Sequence, residues 1–202
     1  MRRSSFASNR FNIYMALTFN LPMDELNYLP STLLKSEYIS IYMSVEENIK
    51  IVRRAIKAFN TGNTSNADQF ISPDYVNRES QSHKDSYRSK LKGPEEFTDT
   101  IKNLRSAFPD LHYEEQEIIS QGNKVIFVGN VTGTHSGNFF FIPPTRNRVS
   151  YEAVHIHTIG DDGKIVEHRA IRDDLKFMYQ LGLVKPVSSE YEPFLKEWKG
   201  VR

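Results

Sequence analysis

Four strand-like segments in the second half of the chain limit the fold more than any other feature. Apolar and polar residues alternate, with many β-branched and aromatic side chains, along residues 111–120, 124–134, 148–159 and 164–172. Gly122-Asn123 separates the first two segments and Asp161-Asp162-Gly163 separates the last two, and both are turn sequences. The pattern predicts antiparallel strands, with two of their connections made by hairpins.

The residues before these strands favour helices. Apolar side chains recur every three or four positions at Val45, Ile49, Val52, Ile56 and Phe59. Gly62 follows as a helix stop, and Ser44 with Glu47 fits a capping box at the start. We therefore predict a helix that begins near Ser44.

A second helical pattern starts at Gly93-Pro94-Glu95-Glu96, because proline and acidic residues suit the first turn of a helix. We also predict a short helix over residues 67–71, a loop over 74–92 and a last helix over 174–181 before Gly182. Helices followed by a run of antiparallel strands predict the α+β class, with helices on one face of a curved sheet.

The length of 202 residues suggests one domain with an additional segment. We expect residues 1–43 to be a poorly ordered leader or upstream extension, 44–184 to be the domain and 185–202 to be a tail. Arg2, Arg3 and Arg10 with several serines also fit a transit peptide, so organellar targeting stays open beside a cytoplasmic location.

Composition excludes several classes of protein. Hydrophobic residues make up 39% and charged residues 25%, which is typical of a globular core. The net charge of +1 argues against a nucleic-acid-binding protein, and no apolar run approaches the roughly 20 residues that span a bilayer. The absence of cysteine excludes disulfides, thiol nucleophiles and cysteine-ligated metals.

The last two strands carry an unusual number of ionisable side chains. His155 and His157 are two residues apart and point to one face of their strand, and His168 and Arg172 share one face of the next. Asp173 follows where strand gives way to helix. Three interpretations stay open: half-solvated strands with surface histidines, a zinc or iron site, or acid–base catalysis by an aspartate beside histidine.

Several short motifs occur in a fixed order: GPEEF at 93–97, AFPDL at 107–111, TGTHSG at 132–137, IPPT at 142–145, GKIVEH at 163–168 and DDL at 173–175 before QLG at 180–182. In this order and spacing the chain resembles the SnoaL-like polyketide cyclases, or ester cyclases, of the nuclear-transport-factor-2-like superfamily. The resemblance covers about residues 44 to 184.

The resemblance implies a cone-shaped barrel, in which a curved antiparallel sheet wraps around N-terminal helices and encloses a deep apolar pocket. It implies closure of a polyketide ester ring by intramolecular aldol condensation, with neither metal nor cofactor. By motif, the acid–base aspartate falls on Asp173, with Asp174 as the alternative and with His155 and His168 as helpers. A homodimer formed through the sheet face is also expected from the family.

Further side chains are candidates for orienting a small carbonyl or polyketide-like substrate in such a pocket. They are His157, Asn77, Tyr75, Tyr151, Phe141 and Arg172. The run Phe139-Phe140-Phe141 predicts an aromatic wall or lid, with core packing as the other interpretation. His135 fits either a structural hydrogen bond or a place in the pocket.

Three functions are consistent with these features. The first is a metal-free cyclase or isomerase that acts on a carbonyl compound. The second is an ester or epoxide hydrolase, in which Asp173 activates water. The third is a non-catalytic module for small-molecule binding or dimerisation. A buried Asp173 with a raised pKa would favour the enzymes, whereas an exposed Asp173 paired with Arg172 would favour the binding module.

Overall fold

The computed structural model describes residues 32–79 and 91–185. The elements, in chain order, are α1 (Thr32–Thr61), a 3-10 turn (Ala67–Gln69), β1 (Ile71–Asn77), α2 (Gly93–Ala107), β2 (His112–Gln121), β3 (Lys124–Thr134), β4 (Arg148–Ile159), β5 (Ile165–Arg172) and α3 (Asp174–Gln180). The predicted class, α+β, is confirmed.

The five strands form one curved sheet in the order β1-β5-β4-β3-β2. The four predicted strands are all present, and both predicted hairpins are confirmed by the antiparallel pairs β2–β3 and β4–β5. The sheet is mixed rather than antiparallel throughout, because β1 pairs with β5 in the parallel direction.

The region around β1 differs from the prediction. The helix predicted over 67–71 is only a 3-10 turn, and Ile71–Asn77 is a strand rather than part of a loop. Ser72-Pro73 is typical of a helix stop, but β1 lies at the edge of the sheet, where a proline costs no ladder hydrogen bond. Its ladder with β5 is interrupted between Ile71 and Val76, and this interruption accommodates Pro73.

Helix α1 begins at Thr32, so the prediction of a start at Ser44 was wrong. Ser44 lies inside the helix, and Glu47 pairs with Lys50 at 2.7 Å instead of closing a capping box. A serine followed three residues later by glutamate also fits a helix that simply continues. The predicted leader and tail fall largely on residues 1–31 and 186–202, which lie outside the described part of the chain.

The core lies between one face of the sheet and helices α1 and α2. Buried residues of β3 alternate along the strand, and they form one cluster with Val52 of α1 and Ile101 of α2. The ring of Phe97 packs edge-on against Phe59, Phe70 and Tyr75, with centroids 5.5 to 6.2 Å apart. None of the helices in the described residues has the length and apolarity needed to cross a membrane.

Two of the motifs in the sequence have structural roles. The carboxylate of Asp110 accepts hydrogen bonds from the amide and hydroxyl of Thr134, at 2.6 and 2.8 Å. The side chain of Gln180 bonds to the backbone of Ser150 as both acceptor and donor, at 2.7 and 3.0 Å. These bonds tie the α2–β2 connection to β3 and helix α3 to β4, and so they hold the walls of the pocket described below.

The start of helix α2 requires glycine for two reasons. Gly93 has a φ of +62°, and a Cβ there would lie 2.7 Å from the carbonyl oxygen of Pro73 on β1. We expect Gly93→Ala to destabilise the fold by about 2–4 kcal/mol, from left-handed backbone strain and from backbone overlap. Urea unfolding followed by circular dichroism measures the change.

Gly122→Ala is the matched control. Gly122 has a similar φ of +57°, but no atom lies within 4 Å of a Cβ built there. We expect Gly122→Ala to lower the free energy of unfolding only by the cost of left-handed backbone strain, about 1–2 kcal/mol. Equal losses at the two positions would contradict a close approach of α2 to β1.

Candidate active site

A pocket of about 780 Å³ opens between helix α2, the ends of the strands and helix α3. This volume lies within the range of small-molecule sites. Its apolar lining includes Leu104, Phe108, Leu111, Phe139, Phe140, Phe141, Ile142, Val149, Phe177 and Met178. Its polar lining includes Asn77, Glu79, Tyr113, Tyr151, Arg172 and Asp174.

The aromatic wall is continuous. Phe108 packs against Phe139 and Phe177, with ring centroids 5.5 and 6.1 Å apart, and Phe177 also meets Tyr151 at 5.1 Å. The predicted wall over residues 139–141 therefore divides into two parts. Phe139 packs within the wall, whereas Phe141 is 93% exposed at the mouth, and Phe140 has an unusual φ of +53°.

Four of the predicted substrate-binding residues line the pocket: Asn77, Tyr151, Phe141 and Arg172. Burial raises the pKa of Tyr151 to about 12, so its hydroxyl stays protonated at neutral pH and can donate a hydrogen bond to a carbonyl oxygen. The other two predicted substrate-binding residues lie elsewhere. Tyr75 is buried against Phe97, and His157 is buried behind the pocket.

Arg172 links two carboxylates at the mouth of the pocket. Its Nη1 lies 2.6 Å from Oε1 of Glu79, and its Nε lies 3.1 Å from Oδ1 of Asp174. Asp174, which the sequence offered as the alternative to Asp173, therefore belongs to the lining. The side chain of Asp174 is 65% exposed, so its ion pair is strongly screened by solvent.

Asp173 is exposed, and it is not among the lining residues. It caps helix α3: its Oδ1 accepts a hydrogen bond from the amide of Lys176 at 3.0 Å. The burial of Asp173 that would have favoured the enzymes is therefore not observed. The pairing with Arg172 that would have favoured a binding module is not formed either, because Arg172 pairs with Asp174 and Glu79. The acid–base role of Asp173 stays a prediction.

The three histidines lie together, as strand alternation predicted. His157 stands opposite His168 in the β4–β5 register, and the ring centroids of His155 and His157 lie 5.2 and 5.0 Å from that of His168. All three are buried, so the interpretation of surface histidines was wrong. None lines the pocket itself: they form a layer behind Asn77 and Arg172.

Hydrogen bonds fix the tautomers in this layer. The Oδ1 of Asn77 accepts the backbone N–H of Glu79 at 3.1 Å, so the nitrogen it also meets, Nδ1 of His168 at 3.2 Å, must donate. Nε2 of His168 is then an acceptor, and the N–H at Nδ1 of His155 donates a hydrogen bond to it at 2.9 Å. This series of hydrogen bonds runs from His155 through His168 to Asn77, which lines the pocket.

The histidine layer is neutral at physiological pH. Burial, followed by the charge of Arg172, lowers the pKa of His168 to about 4. Burial also lowers the pKa values of His155 and His157 well below their ordinary range. Because the nearest nitrogens of His155 and His168 bond to each other, they have no space for an ion between them. No group of side chains in the described residues has the arrangement of a metal site.

His135 has a structural place. Its Nδ1 accepts the backbone N–H of Thr145 at 3.2 Å, and its ring stacks on Phe108 at 5.1 Å. It therefore supports the aromatic wall from behind and ties residues 135–145 into a closed loop. Of its two interpretations, the structural one is supported.

Sequence reasoning missed Glu79, Phe108, Tyr113 and Phe177 as lining residues. Glu79 lay in a segment interpreted as a loop. Recognition of β1 would have placed Asn77 in the sheet, but Glu79 lies in the turn after β1, where strand alternation does not fix its direction.

Comparison with known proteins agrees with this architecture. The model of the SnoaL-like polyketide cyclase family matches residues 49–181. The aklanonic acid methyl ester cyclase DnrD of Streptomyces peucetius is 36% identical over 146 residues, which cover 72% of this chain and 97% of that protein. The nogalonic acid methyl ester cyclase of Streptomyces nogalater is 34% identical, over 68% of this chain and 99% of that protein.

Solved structures show the same fold. AclR from Streptomyces galilaeus superposes with a TM-score of 0.61 at 25% identity, over 77% of this chain and 94% of that one. IdmH from Streptomyces antibioticus superposes with a TM-score of 0.56 at 26% identity, over 67% and 98%. The fold, the family match and the relatives agree, and the chain belongs to the SnoaL-like polyketide cyclase family.

Proposed function

We propose that this cyclase-type enzyme closes a ring in a polyketide ester by an intramolecular aldol-type reaction. The observation that carries the proposal is the pocket of about 780 Å³, with one aromatic wall and a charged mouth. The relatives whose names specify methyl esters of aklanonic and nogalonic acid support a substrate of this class.

The aromatic wall suits a flat, largely apolar substrate. Phe108, Phe139 and Phe177 offer ring faces and edges to it, and such contacts favour aromatic partners. Tyr113 and Tyr151 also line the pocket, and they carry hydroxyls whose pKa values are raised by burial. These phenols can orient carbonyl oxygens without giving up their protons.

The reaction requires only proton transfers from the protein. A base removes the acidic proton between two carbonyl groups, and the resulting carbon attacks a ketone in the same molecule. The family resemblance gives Asp173 the roles of both base and acid, and removal of the first proton is its task as base. Its carboxylate would turn from the Lys176 amide toward the mouth, where its neighbours Arg172 and Asp174 already lie.

We expect Asp173→Asn to lower turnover by about 10²–10⁴-fold, the usual contribution of a general base. The fold should persist, because asparagine caps a helix about as well as aspartate. The test incubates both proteins with aklanonic acid methyl ester and nogalonic acid methyl ester and follows substrate loss by liquid chromatography. Unchanged turnover in the variant would remove Asp173 from the mechanism.

Mass spectrometry of the products separates the alternatives. Aldol closure gives a product with the mass of the substrate, whereas ester hydrolysis gives the free acid and methanol. Binding of either ester, detected by thermal shift, without any product would support the non-catalytic module instead.

We also propose a homodimer formed through the sheet face, on the family resemblance. Ile171 is 67% exposed although it lies on a central-sheet strand, which is consistent with a covered face in an assembly. Light scattering with size-exclusion chromatography gives the oligomeric state, and a monomer at micromolar concentration would contradict it.

A further inference from the structure

We propose that Glu79 is a second catalytic carboxylate of this pocket, which protonates the oxygen of the attacked ketone as the new carbon–carbon bond forms. Arg172 holds the carboxylate that remains. The inference rests on the proposed function, and it divides the two proton transfers of ring closure between two residues.

Glu79 has the position that this role requires. Its side chain lines the pocket and is only 27% exposed. Its Oε1 lies 2.6 Å from Nη1 of Arg172, and its Oε2 lies 3.9 Å from Nδ1 of His168. The carboxyl group is therefore held between the pocket and the neutral histidine layer.

The backbone around Glu79 is anchored. Its amide donates to Oδ1 of Asn77, and the amide of Asn77 donates to Oε2 of the buried Glu96, each at 3.1 Å. The amide of Arg78 donates to the carbonyl oxygen of His168 at 2.9 Å. The chain just after β1 is thus fixed to α2 and β5, so that Glu79 is presented from a rigid support.

The surroundings favour a proton donor at this point. Burial raises the pKa of Glu79, the charge of Asp174 raises it further, and Arg172 acts in the opposite direction. Arg172 also stabilises the anion that forms when the proton leaves. Among residues 32–79 and 91–185, the charged and titratable groups that act on Glu79 include Arg172 and His168 of β5, Asp174 of α3, Tyr75 of β1, Tyr113 of β2 and Tyr151 of β4.

The step is balanced in atoms and electrons. The carbon–hydrogen bond breaks as the base takes the proton, and its electron pair forms the bond to the ketone carbon. The π electrons of that ketone move to its oxygen, which takes the proton of Glu79. The proton held by the base then returns to Glu79 through water at the open mouth, so the net change is an isomerisation.

The first test compares Glu79→Gln with wild type on the two methyl esters named above. Glutamine keeps the size of the side chain and an oxygen for Arg172, but its amide N–H is far too weakly acidic to protonate the forming alkoxide. We expect kcat to fall by about 10²–10³-fold, with KM within about threefold. Glu117→Gln, at an exposed position on β2, is the matched control and should keep wild-type kinetics. A kcat within threefold of wild type in Glu79→Gln would overturn the proposal.

Deuterium exchange distinguishes an acid from a base. In heavy water, the action of the base is measured by the rate at which deuterium replaces the acidic proton in the unreacted ester, after subtraction of the rate without protein. We expect Glu79→Gln to retain this exchange while it loses ring closure, and Asp173→Asn to lose both. Loss of exchange in proportion to closure in Glu79→Gln would show that Glu79 acts only in binding or in the first step.

An independent measurement keeps the inference separate from the substrate assignment. If wild type converts neither ester, the proposed function fails, and carbon-13 NMR of the labelled Glu79 carboxyl still tests the proton donor. We expect Glu79 to titrate above the ordinary range of glutamate, higher still in Arg172→Gln and lower in Asp174→Asn. An ordinary titration that neither variant shifts would overturn the proposal.

Discussion

Acid is expected to destabilise this protein well above the pH at which carboxylates titrate. The folded protein keeps His155, His157 and His168 neutral, because burial lowers their pKa values, and His168 reaches about 4. In the unfolded chain these histidines titrate near 6.5. Between pH 6.5 and 4 the unfolded state therefore binds more protons, so stability falls as the pH falls.

The magnitude follows from linkage. Each histidine that takes up a proton on unfolding gives a slope of about 1.4 kcal/mol per pH unit, and His168 alone accounts for about 3 kcal/mol by pH 4. The raised pKa of Glu79 works in the opposite direction, because the folded state then holds the extra proton. Protonation of Glu79 therefore opposes the loss of stability that the histidines cause.

Urea unfolding at pH values from 7.5 to 4.5 measures this slope. His157→Leu is the informative variant, because neither ring nitrogen of His157 has a hydrogen-bond partner among the described residues. We expect the free energy of unfolding of this variant to fall less steeply with pH, because about one proton fewer is taken up on unfolding. The variant should therefore be more stable relative to wild type at pH 5 than at pH 7.5. A free energy of unfolding that stays constant between pH 6.5 and 4.5 would contradict the buried, neutral layer.

Replacing Phe97 by alanine is expected to cost about 3–5 kcal/mol of stability. Phe97 is only 2% exposed, and its ring meets the edges or faces of Phe59, Phe70 and Tyr75. These partners come from α1, the residue after the 3-10 turn, and β1, so one ring joins α2 to the N-terminal half of the domain. The loss has two sources: apolar surface of the ring is no longer buried, and a cavity remains in its place. The cavity cannot collapse fully, because rigid elements surround the site on several sides.

Phe141→Ala is the control for this substitution. The same atoms are removed at a position that is 93% exposed, so stability should change by no more than about 0.5 kcal/mol. Thermal and urea unfolding of both variants give the comparison. Similar losses at the two positions would show that Phe97 is not the centre of the core.

The two predictions concern two regions of the same buried layer. Phe97 belongs to the layer between helices and sheet, whereas the histidines lie on the same sheet face nearer the pocket. Apolar packing keeps water out of both. That exclusion keeps His168 neutral, and it raises the pKa values of Tyr151 and Glu79 at the pocket.

Local patterns in the sequence predicted most of the elements. The bounds of β3 and β4 agree residue for residue, because alternation is strong and turns or prolines bound it. The sharing of one face by His155, His157 and His168 also followed from spacing, since strand alternation is a property of the backbone. The family could likewise be predicted, because its motifs include residues such as Asp110 and Gln180 that hold the fold.

The sequence by itself determined the class of the fold, the order of β2 to β5 along the chain and the face shared by the three histidines, because these depend on local periodicity. Tertiary structure decided which side chains reach the pocket. It placed β1 parallel to β5 and brought Glu79 to Arg172, which lies 93 positions away. It directed Asp173 to the amide of Lys176 and buried the histidines one layer behind the cavity. The burial of a side chain and its contacts with residues of distant strands depend on how the helices and the sheet pack together, and no local sequence pattern encodes them.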